Sequence, residues 1–309
     1  MSNEQTSSLP APLWIALTPS ADDAAWRQAL RVGIEASGRI MRDGDRETPA
    51  SSDDSAHEVW VTSDCNVAET LGRHPSAVLI PRPETSPDAI TESLGIFAPQ
   101  SVAHASLLLA RAVAQDPRRT RIVTAREIDA SGRAPILLAE GLSVTPPPPA
   151  PVEAARPAVK AALGAFSSGA PIPGASTVWS ERIFRYDQRA ARTSAQLGEL
   201  DITGRPRILV YGPYLGMPPG RWKARVKFLV DSTAASKEFR LDWGTPHDFQ
   251  SLRISTPHAG VYEAELEHDW PLVDLGEIRL WLMEGAFDGV LHFLGATVTY
   301  LGRPLANAA

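Results

Sequence analysis

The sequence predicts an α+β protein of two domains, a small α/β domain with a mostly parallel sheet and an antiparallel, jelly-roll-like β-sandwich. Three observations predict this class: strand and helix patterns alternate in the first half, a proline-rich segment follows, and strand patterns without helices fill the rest. The chain has 309 residues, whereas one domain commonly has about 100–200. We therefore place the α/β domain at residues 1–142, a linker at 143–176 and the sandwich at 177–309.

The first domain alternates strands and helices. The segments LWIALTP, HEVWVTS and AVLIP predict strands, and TRIVTAR and APILLAEGL predict two more. Trp26, Leu30 and Ile34 recur every four residues, which predicts a helix with one apolar face. SVAHASLLLARAVAQ predicts a longer helix, and short helices are predicted at 67–71 and 86–95. Strands separated by helices favour parallel pairing within one sheet.

The linker contains four consecutive prolines at 146–149. Proline fixes the backbone angle φ and donates no hydrogen bond, so this run predicts an extended spacer. Later in the linker, PAVKAALGAF predicts a short helix with Pro157 in its first turn. The sequence leaves open which domain this helix packs against.

The last third of the chain has the two-residue period of β-strands. Eight segments alternate apolar and polar residues and are separated by turn residues, a number and spacing typical of a sandwich or jelly roll. They are GELDITG, RILVYGP, RWKARVKFLVD, EFRLDWG, QSLRIS, GVYEAELEHDW, EIRLWLMEG and VLHFLGATVTYLG.

Charge and composition exclude several classes of function. Up to residue 142 the chain has 13 Arg, no Lys and 19 acidic residues, and the remainder has 17 of each sign. Neither part has the basic excess that binds a phosphate backbone, so we expect no nucleic-acid partner. The single cysteine, Cys65, rules out an intrachain disulfide framework. We expect a cytoplasmic location because no signal-peptide pattern or membrane-length apolar run is present, with non-classical export as an alternative.

Motifs of catalysis and of cofactor binding are missing. The chain contains no G-x-G-x-x-G, no P-loop, no G-x-S-x-G and no H-E-x-x-H, so we predict no cofactor, metal or catalytic residue. Ligands of open α/β sheets bind beyond the carboxyl ends of the strands. This places one alternative site in TSDCN after the second strand, with Thr62, Ser63, Asp64 and Asn66 as its polar residues. Asp64 or Asn66 could equally cap a following helix.

The sandwich offers a second candidate site on the outward side of its strands. Where the apolar residues of a strand face the core, Arg240, Asp242, Arg253, Arg279 and Trp281 face away from it. An indole beside charged hydrogen-bonding groups suits a sugar ring, whose C–H face stacks on the indole while its hydroxyls bind the charged groups. In the loop GPYLGMPPGRW, Tyr214 and Arg221 are further candidates for ligand binding. The alternative is a solvated face on which the linker helix or the first domain covers Trp281.

Four stretches carry a resemblance to a known family. These are ELDITGRPRILVYGPYLGMPPGRWKARVKFLVD, FRLDWG, GVYEAELEHDW and RLWLMEGAFDGVLHFLGATV. They resemble, over about residues 197–302, the β-sandwich modules similar to carbohydrate-binding modules that are attached to bacterial glycosyltransferases and polysaccharide-biosynthesis proteins. The most specific stretch is GPY-x-x-x-PPGRW before an alternating strand.

This resemblance implies glycan association or a structural accessory role in polysaccharide work, and it supplies no catalytic residue. The first domain is about half the usual size of a complete glycosyltransferase. We therefore expect a non-catalytic protein whose partner is a glycan or polysaccharide. Two alternatives stay open: a glycan-modifying enzyme with its site near TSDCN or between the domains, and a protein-interaction module in an envelope or surface assembly.

Overall fold

A computed structural model describes residues 12–18, 22–47, 57–64, 76–80, 100–114, 120–148, 161–167, 169–187 and 198–303. Within these residues, a five-stranded parallel sheet with helices precedes two antiparallel sheets that pack as a sandwich. The predicted fold class is therefore confirmed. The helices predicted at 67–71 and 86–95 lie outside the described residues, and the domain boundaries stay a prediction.

The parallel sheet is formed by five short strands, whose order across the sheet is β2-β3-β1-β4-β5. Because its central strands are covered on both faces, they are apolar without alternation. Four of the five strands were predicted; β2 was not, because its burial is only partial and its pattern weak. The strands are β1 (Leu13–Leu17), β2 (Ile40–Asp43), β3 (Glu58–Thr62), β4 (Ala77–Leu79) and β5 (Arg121–Val123).

Three α-helices and a hairpin complete the described residues of the α/β part. Helix α1 (Asp23–Ala36) buries Trp26, Leu30 and Ile34, as predicted, and α2 (Gln100–Ala114) is the predicted longer helix. A short helix, α3 (Ala125–Ala130), was not predicted. The prediction that APILLAEGL adds a strand to the parallel sheet was wrong. It forms a separate hairpin of β6 (Ile136–Ala139) and β7 (Leu142–Val144), because the turn at Gly141, with φ of +69°, folds the segment back on itself.

The sandwich contains ten strands, of which eight were predicted. The other two, β8 (Ser176–Trp179) and β9 (Arg185–Tyr186), are too short to show alternation. The eight predicted strands are β10 (Glu199–Asp201), β11 (Arg207–Met217), β12 (Gly220–Val230), β13 (Lys237–Gly244), β14 (Phe249–Thr256), β15 (Gly260–Trp270), β16 (Asp274–Leu282) and β17 (Val290–Gly302). One sheet has the order β10-β17-β12-β15, with β8 on β17, and the other has the order β14-β13-β16-β11-β9.

The GPYLGMPPGRW segment joins the two sheets. Strand β11 continues through it to Met217, and the chain then turns at Pro218 and Pro219 into β12 of the opposite sheet. Tyr214 therefore lies within β11 and not at a loop tip. A bulge between Pro213 and Leu215 interrupts the pairing with β16, and Tyr214 there has φ of +61°. This bulge redirects the Tyr214 side chain.

Two apolar cores hold these elements together. The smaller core lies between one face of the parallel sheet, α1 and the β6–β7 hairpin. The larger core is continuous from the other face of the parallel sheet, through α2, into the interior of the sandwich. The described end of the linker helix also joins this larger core, because Leu163 and Phe166 are buried there and the Ala161 carbonyl accepts a hydrogen bond from Thr177 of β8.

Helix α2 packs very closely against the sandwich at Gly216 of β11. The Gly216 N–H donates to Ser106 Oγ at 2.8 Å, a buried hydrogen bond across 110 positions of sequence. A Cβ at Gly216 would lie 2.4 Å from the Leu107 Cα, so only glycine permits this approach. The α/β part and the sandwich are therefore joined by a tightly packed contact.

Candidate functional site

Strand pairing brings most of the predicted ligand-binding residues onto one outer face of the β14-β13-β16-β11-β9 sheet. In the register, Arg240 lies opposite both Arg253 and Trp281, and Asp242 lies opposite both Ser251 and Arg279. Residues directly opposite in an antiparallel sheet share a face. We call this surface the Trp281 face and define it by Arg185, Tyr211, Tyr214, Arg240, Asp242, Phe249, Ser251, Arg253, Glu277, Arg279 and Trp281.

Asp242 is the centre of a hydrogen-bond network on the Trp281 face. Its residue is only 2% exposed, and its carboxylate accepts from Ser251 Oγ at 2.7 Å, from Trp281 Nε1 at 2.8 Å and from Arg240 Nη2 at 3.1 Å. The Arg240 guanidinium also lies over the Trp281 ring, 4.5 Å from its centroid. A buried carboxylate is stable only when it is hydrogen-bonded, so these contacts hold the half-buried indole and the guanidinium in fixed positions.

Glu277 forms a second buried centre on the same face. Its side chain is 3% exposed and is paired with Arg279, whose Nη2 also donates to the Pro246 carbonyl at 3.1 Å. The Tyr214 hydroxyl donates to Glu277; burial and then this hydrogen bond raise the pKa of Tyr214 well above its ordinary value. Tyr214 is therefore a neutral hydroxyl at any pH at which the protein is handled.

Two further contacts extend the aromatic surface on either side of Glu277. The Arg279 guanidinium lies 5.1 Å from the centroid of the Phe249 ring, and Arg185 lies 5.9 Å from that of Tyr214. Phe249 is 37% exposed, so a large part of its ring faces solvent. The face thus presents aromatic surfaces and guanidinium groups side by side.

Arg221 does not join this face. It begins β12 in the opposite sheet, where it pairs with Glu267 of β15 at 2.8 Å. The outward Lys and Arg residues of β12 continue this pattern and form a ladder of ion pairs with β15; the pairs are Lys223–Glu265 at 3.3 Å, Arg225–Glu265 at 2.6 Å and Lys227–Glu263 at 2.8 Å. Because each basic group has a carboxylate partner, this second outer face is electrically compensated.

The surroundings of the Trp281 indole come from its own sheet as far as the structure describes the chain. Among the described residues, no hydrogen bond or ring contact joins Trp281 to α2 or to the end of the linker helix, which packs beside β8 in the other sheet. The hydrogen bond and the cation–π contact of Trp281 are with Asp242 and Arg240, on its own face.

The alternative site at the end of β3 is a closed network. Asp45 Oδ1 accepts from Thr62 Oγ1 at 2.6 Å and from the Ser63 and Asp64 N–H groups at 2.8 and 3.3 Å. Burial raises the pKa of Asp45, but these hydrogen bonds and Arg27 outweigh that effect and hold it below the ordinary value. The network ties the end of β3 to the turn after β2. Asn66 lies outside the described residues.

Arg27 of α1 completes this network. Its guanidinium pairs with Asp23 at 2.8 Å, with Asp43 at 3.3 Å and with Asp45, and Nη2 also donates to Ser63 Oγ at 2.7 Å. The guanidinium is therefore occupied by groups of the protein itself. These contacts fix the helix against the sheet, and they give Arg27, Asp45, Thr62 and Ser63 hydrogen-bond partners within the described residues.

Within the described ranges, no group of three or more His, Cys, Asp or Glu side chains is arranged to hold a metal ion. No described helix is long and apolar enough to cross a membrane.

Sequence reasoning missed five residues of the Trp281 face, and a signal existed for three of them. Glu277 has the same strand parity as Arg279 and Trp281, and Phe249 and Ser251 have the same parity as Arg253. Extending the alternation by one or two residues would have found these three. Tyr211 needed the register with β16, and Arg185 gave no signal because β9 has only two residues.

Comparison with solved structures finds sandwiches of the same type. TmCBM61 in complex with beta-1,4-galactotriose matches with a TM-score of 0.28 and 9% identity, over 46% of this chain and 95% of that one. The CBM22-1 xylan-binding domain of Paenibacillus barcinonensis Xyn10C matches with a TM-score of 0.25 and 10% identity, over 38% of this chain and 82% of that one. The predicted resemblance to carbohydrate-binding modules is confirmed as a likeness of fold.

A third structure matches over almost the whole chain. The Glycosylation Associate Protein (Gap123) complex from Streptococcus agalactiae matches with a TM-score of 0.29 and 9% identity, over 94% of this chain and half of that one. No family model and no curated protein sequence matches. At these identities and TM-scores, the likenesses describe the fold and say nothing about a ligand.

Proposed function

We propose that this chain is a non-catalytic accessory protein that binds glycan on the Trp281 face in connection with bacterial polysaccharide. One observation carries the proposal: the buried Asp242 carboxylate holds Trp281 and Arg240 together on an outer sheet face, where a β-sandwich has no structural need for an indole. A fixed aromatic group beside fixed polar groups is the arrangement that binds a sugar ring without an entropic cost of ordering.

The chemistry of the face supports a sugar ligand. The apolar C–H side of a pyranose packs on an aromatic ring, and its hydroxyls act as both donors and acceptors of hydrogen bonds. Phe249 and Trp281 supply rings, while Arg253 and Arg279 supply donors. The face is a sheet surface and not a closed cavity, which favours a polymer lying across several strands.

The ion-pair network at the end of β3 argues against the enzyme alternative at that position. Thr62, Ser63 and Asp45 satisfy one another, and Arg27 is surrounded by carboxylates. A nucleophile or general base would have to leave these partners before it could reach a substrate.

The test is glycan-array binding by the full chain and by Phe249→Ala. Phe249 is exposed and its ring contacts Arg279, so this substitution should leave folding intact and weaken binding about tenfold or more, a loss of about 1.4 kcal/mol. Phe287→Ala is the matched control, because Phe287 is fully exposed (102%) and does not belong to the Trp281 face. Thermal unfolding should be the same for both variants.

Trp281→Phe is the second variant. It keeps a ring but removes the donor to Asp242, so it should weaken both binding and stability. If the unmodified chain retains no glycan, the proposed function is wrong. If it retains glycan and Phe249→Ala and Trp281→Phe bind as tightly as the Phe287→Ala control, glycan binds elsewhere on the protein.

A further inference from the structure

Two arginines of the Trp281 face have no acidic partner among the residues that the structure describes. Arg240 pairs with Asp242 and Arg279 pairs with Glu277. Arg253 is exposed and makes no hydrogen bond or ion pair within the part of the chain that the structure describes, and Arg185 contacts only the Tyr214 ring. Positive charge therefore exceeds what the carboxylates of the face compensate.

The position of Arg253 in the sheet indicates where the excess positive charge of the Trp281 face lies. Arg253 of β14 lies directly opposite Arg240 of β13, with side chains on the same face. In an antiparallel sheet such side chains start about 4.5–5.5 Å apart, and like charges directly opposite destabilise the pairing. The register therefore places two basic residues directly opposite each other, and only one of them, Arg240, has a carboxylate partner on this face.

The other sheet shows how this protein arranges cross-strand charges where no ligand is expected. There, Lys223, Arg225 and Lys227 lie opposite Glu267, Glu265 and Glu263 in the register, and each forms an ion pair with β15. Opposite charges face each other along the whole ladder. The Arg240–Arg253 pair breaks this rule on the same fold, at a comparable position on an outer face.

An anion between the two arginines would convert repulsion into attraction. Arg240 Nη2 donates to Asp242, and its buried Nε lies 3.0 Å from Asp242 Oδ1 without the geometry of a hydrogen bond, which leaves Nη1 for an anion. The Arg253 guanidinium makes no hydrogen bond or ion pair with the residues that the structure describes. Guanidinium groups bind carboxylates with two parallel, charge-assisted hydrogen bonds. Trp281 lies opposite Arg240 on its other side, so the indole is one strand further away from an anion held between the two arginines.

We infer that the glycan bound by the Trp281 face is acidic, with a carboxylate on the sugar ring that is held between Arg240 and Arg253. This inference rests on the proposed function, since it names the class of sugar for the same face. The ring of a uronic acid carries its carboxylate at one edge, so the ring can contact the indole while the carboxylate reaches the arginines.

The experiment compares two polymers that differ in charge. Binding of the full chain to polygalacturonate and to its carboxyl-reduced, neutral counterpart is measured by affinity electrophoresis and calorimetry. We expect tighter binding of the acidic polymer, with an affinity that falls as NaCl is raised. Arg253→Gln should weaken binding of polygalacturonate about tenfold or more and weaken binding of the neutral polymer much less, because the neutral polymer loses only a donor to a hydroxyl.

Arg225→Gln is the matched control, because it removes the same charge from the opposite sheet. It should not change binding of either polymer. The Arg253 side chain makes no hydrogen bond or ion pair among the described residues, so the Arg253→Gln protein should fold normally. A thermal melt followed by circular dichroism checks this. Dextran sulfate and dextran test whether any polyanion suffices.

The outcomes separate the inference from the proposed function. Equal binding of both polymers, with no effect of Arg253→Gln, overturns the acidic-sugar inference and leaves glycan binding standing. If the Arg253→Gln variant still binds both dextran sulfate and polygalacturonate, the inference is overturned. General charge attraction then explains the binding. Retention of no glycan at all overturns the proposed function itself.

Discussion

Replacing Asp242 with asparagine tests the hydrogen-bond network that positions Trp281. The carboxylate is 2% exposed and accepts from three groups, Ser251 Oγ, Trp281 Nε1 and Arg240 Nη2. Asparagine has the same shape but only one acceptor oxygen. Its NH₂ group therefore faces at least one donor that has lost its acceptor.

The expected cost follows from the contacts. A hydrogen bond to a charged group is worth about 1.5–3 kcal/mol, and an unsatisfied buried polar group adds to the loss. The Arg240 side chain is 30% exposed, so solvent screens part of its ion pair with Asp242 and that part is discounted. We expect Asp242→Asn to lower the free energy of unfolding by about 2–3 kcal/mol and Tm by roughly 4–12 °C.

The assay is urea unfolding followed by tryptophan fluorescence, together with the NMR resonance of the Trp281 indole N–H. Ser251→Ala is the matched control, because it removes one neutral donor and should cost about 1 kcal/mol or less. The indole resonance should shift in Asp242→Asn and stay in place in Ser251→Ala. An Asp242→Asn protein within about 0.5 kcal/mol of the unmodified chain, with the resonance unmoved, would refute the central role of Asp242.

Two further predictions concern packing and pH. Gly216→Ala places a Cβ 2.4 Å from the Leu107 backbone and should lower the free energy of unfolding in urea by about 1–3 kcal/mol or more. Gly285→Ala is the control and should lower it less, because the nearest atom to its Cβ is 3.3 Å away. Equal losses in the two variants would contradict the tight helix contact. Burial lowers the pKa of His268, whose ring packs edge-on against Trp270, and nearby acidic groups only partly offset this. The folded state therefore binds fewer protons than the unfolded chain, so the free energy of unfolding should fall as pH drops below about 6.5. It should fall less steeply in His268→Gln, which lacks the titrating group. Parallel pH profiles of the urea midpoint in the two proteins would contradict this.

The strands of the sandwich could be predicted from the sequence because apolar and polar residues alternate along a strand whichever strands lie beside it. All eight segments with a clear two-residue period are strands, and Phe239, Leu241 and Trp243 face the core as expected. Three strands were not predicted because they are too short to show a clear pattern; these are β2, β8 and β9. The hairpin of β6 and β7 was misread because its turn lies inside one apolar segment.

The candidate site was predictable only in part. Arg240, Asp242, Arg253, Arg279 and Trp281 were expected to share a face, and the register brings them together. The interpretation of the GPYLGMPPGRW segment changed most. Its two candidate residues lie on different sheets, since the chain crosses the sandwich between them.

The sequence by itself determined which side chains of each strand point the same way, because a strand's side chains alternate regardless of what lies beside it. Only the tertiary structure decided which strands are neighbours, because pairing order and register depend on contacts between segments far apart in the chain. For this reason Arg221 forms an ion pair with Glu267, whereas Arg253 lies opposite another arginine, Arg240. The same long-range packing brought Ser106 to Gly216 and joined the two parts of the chain through one continuous core.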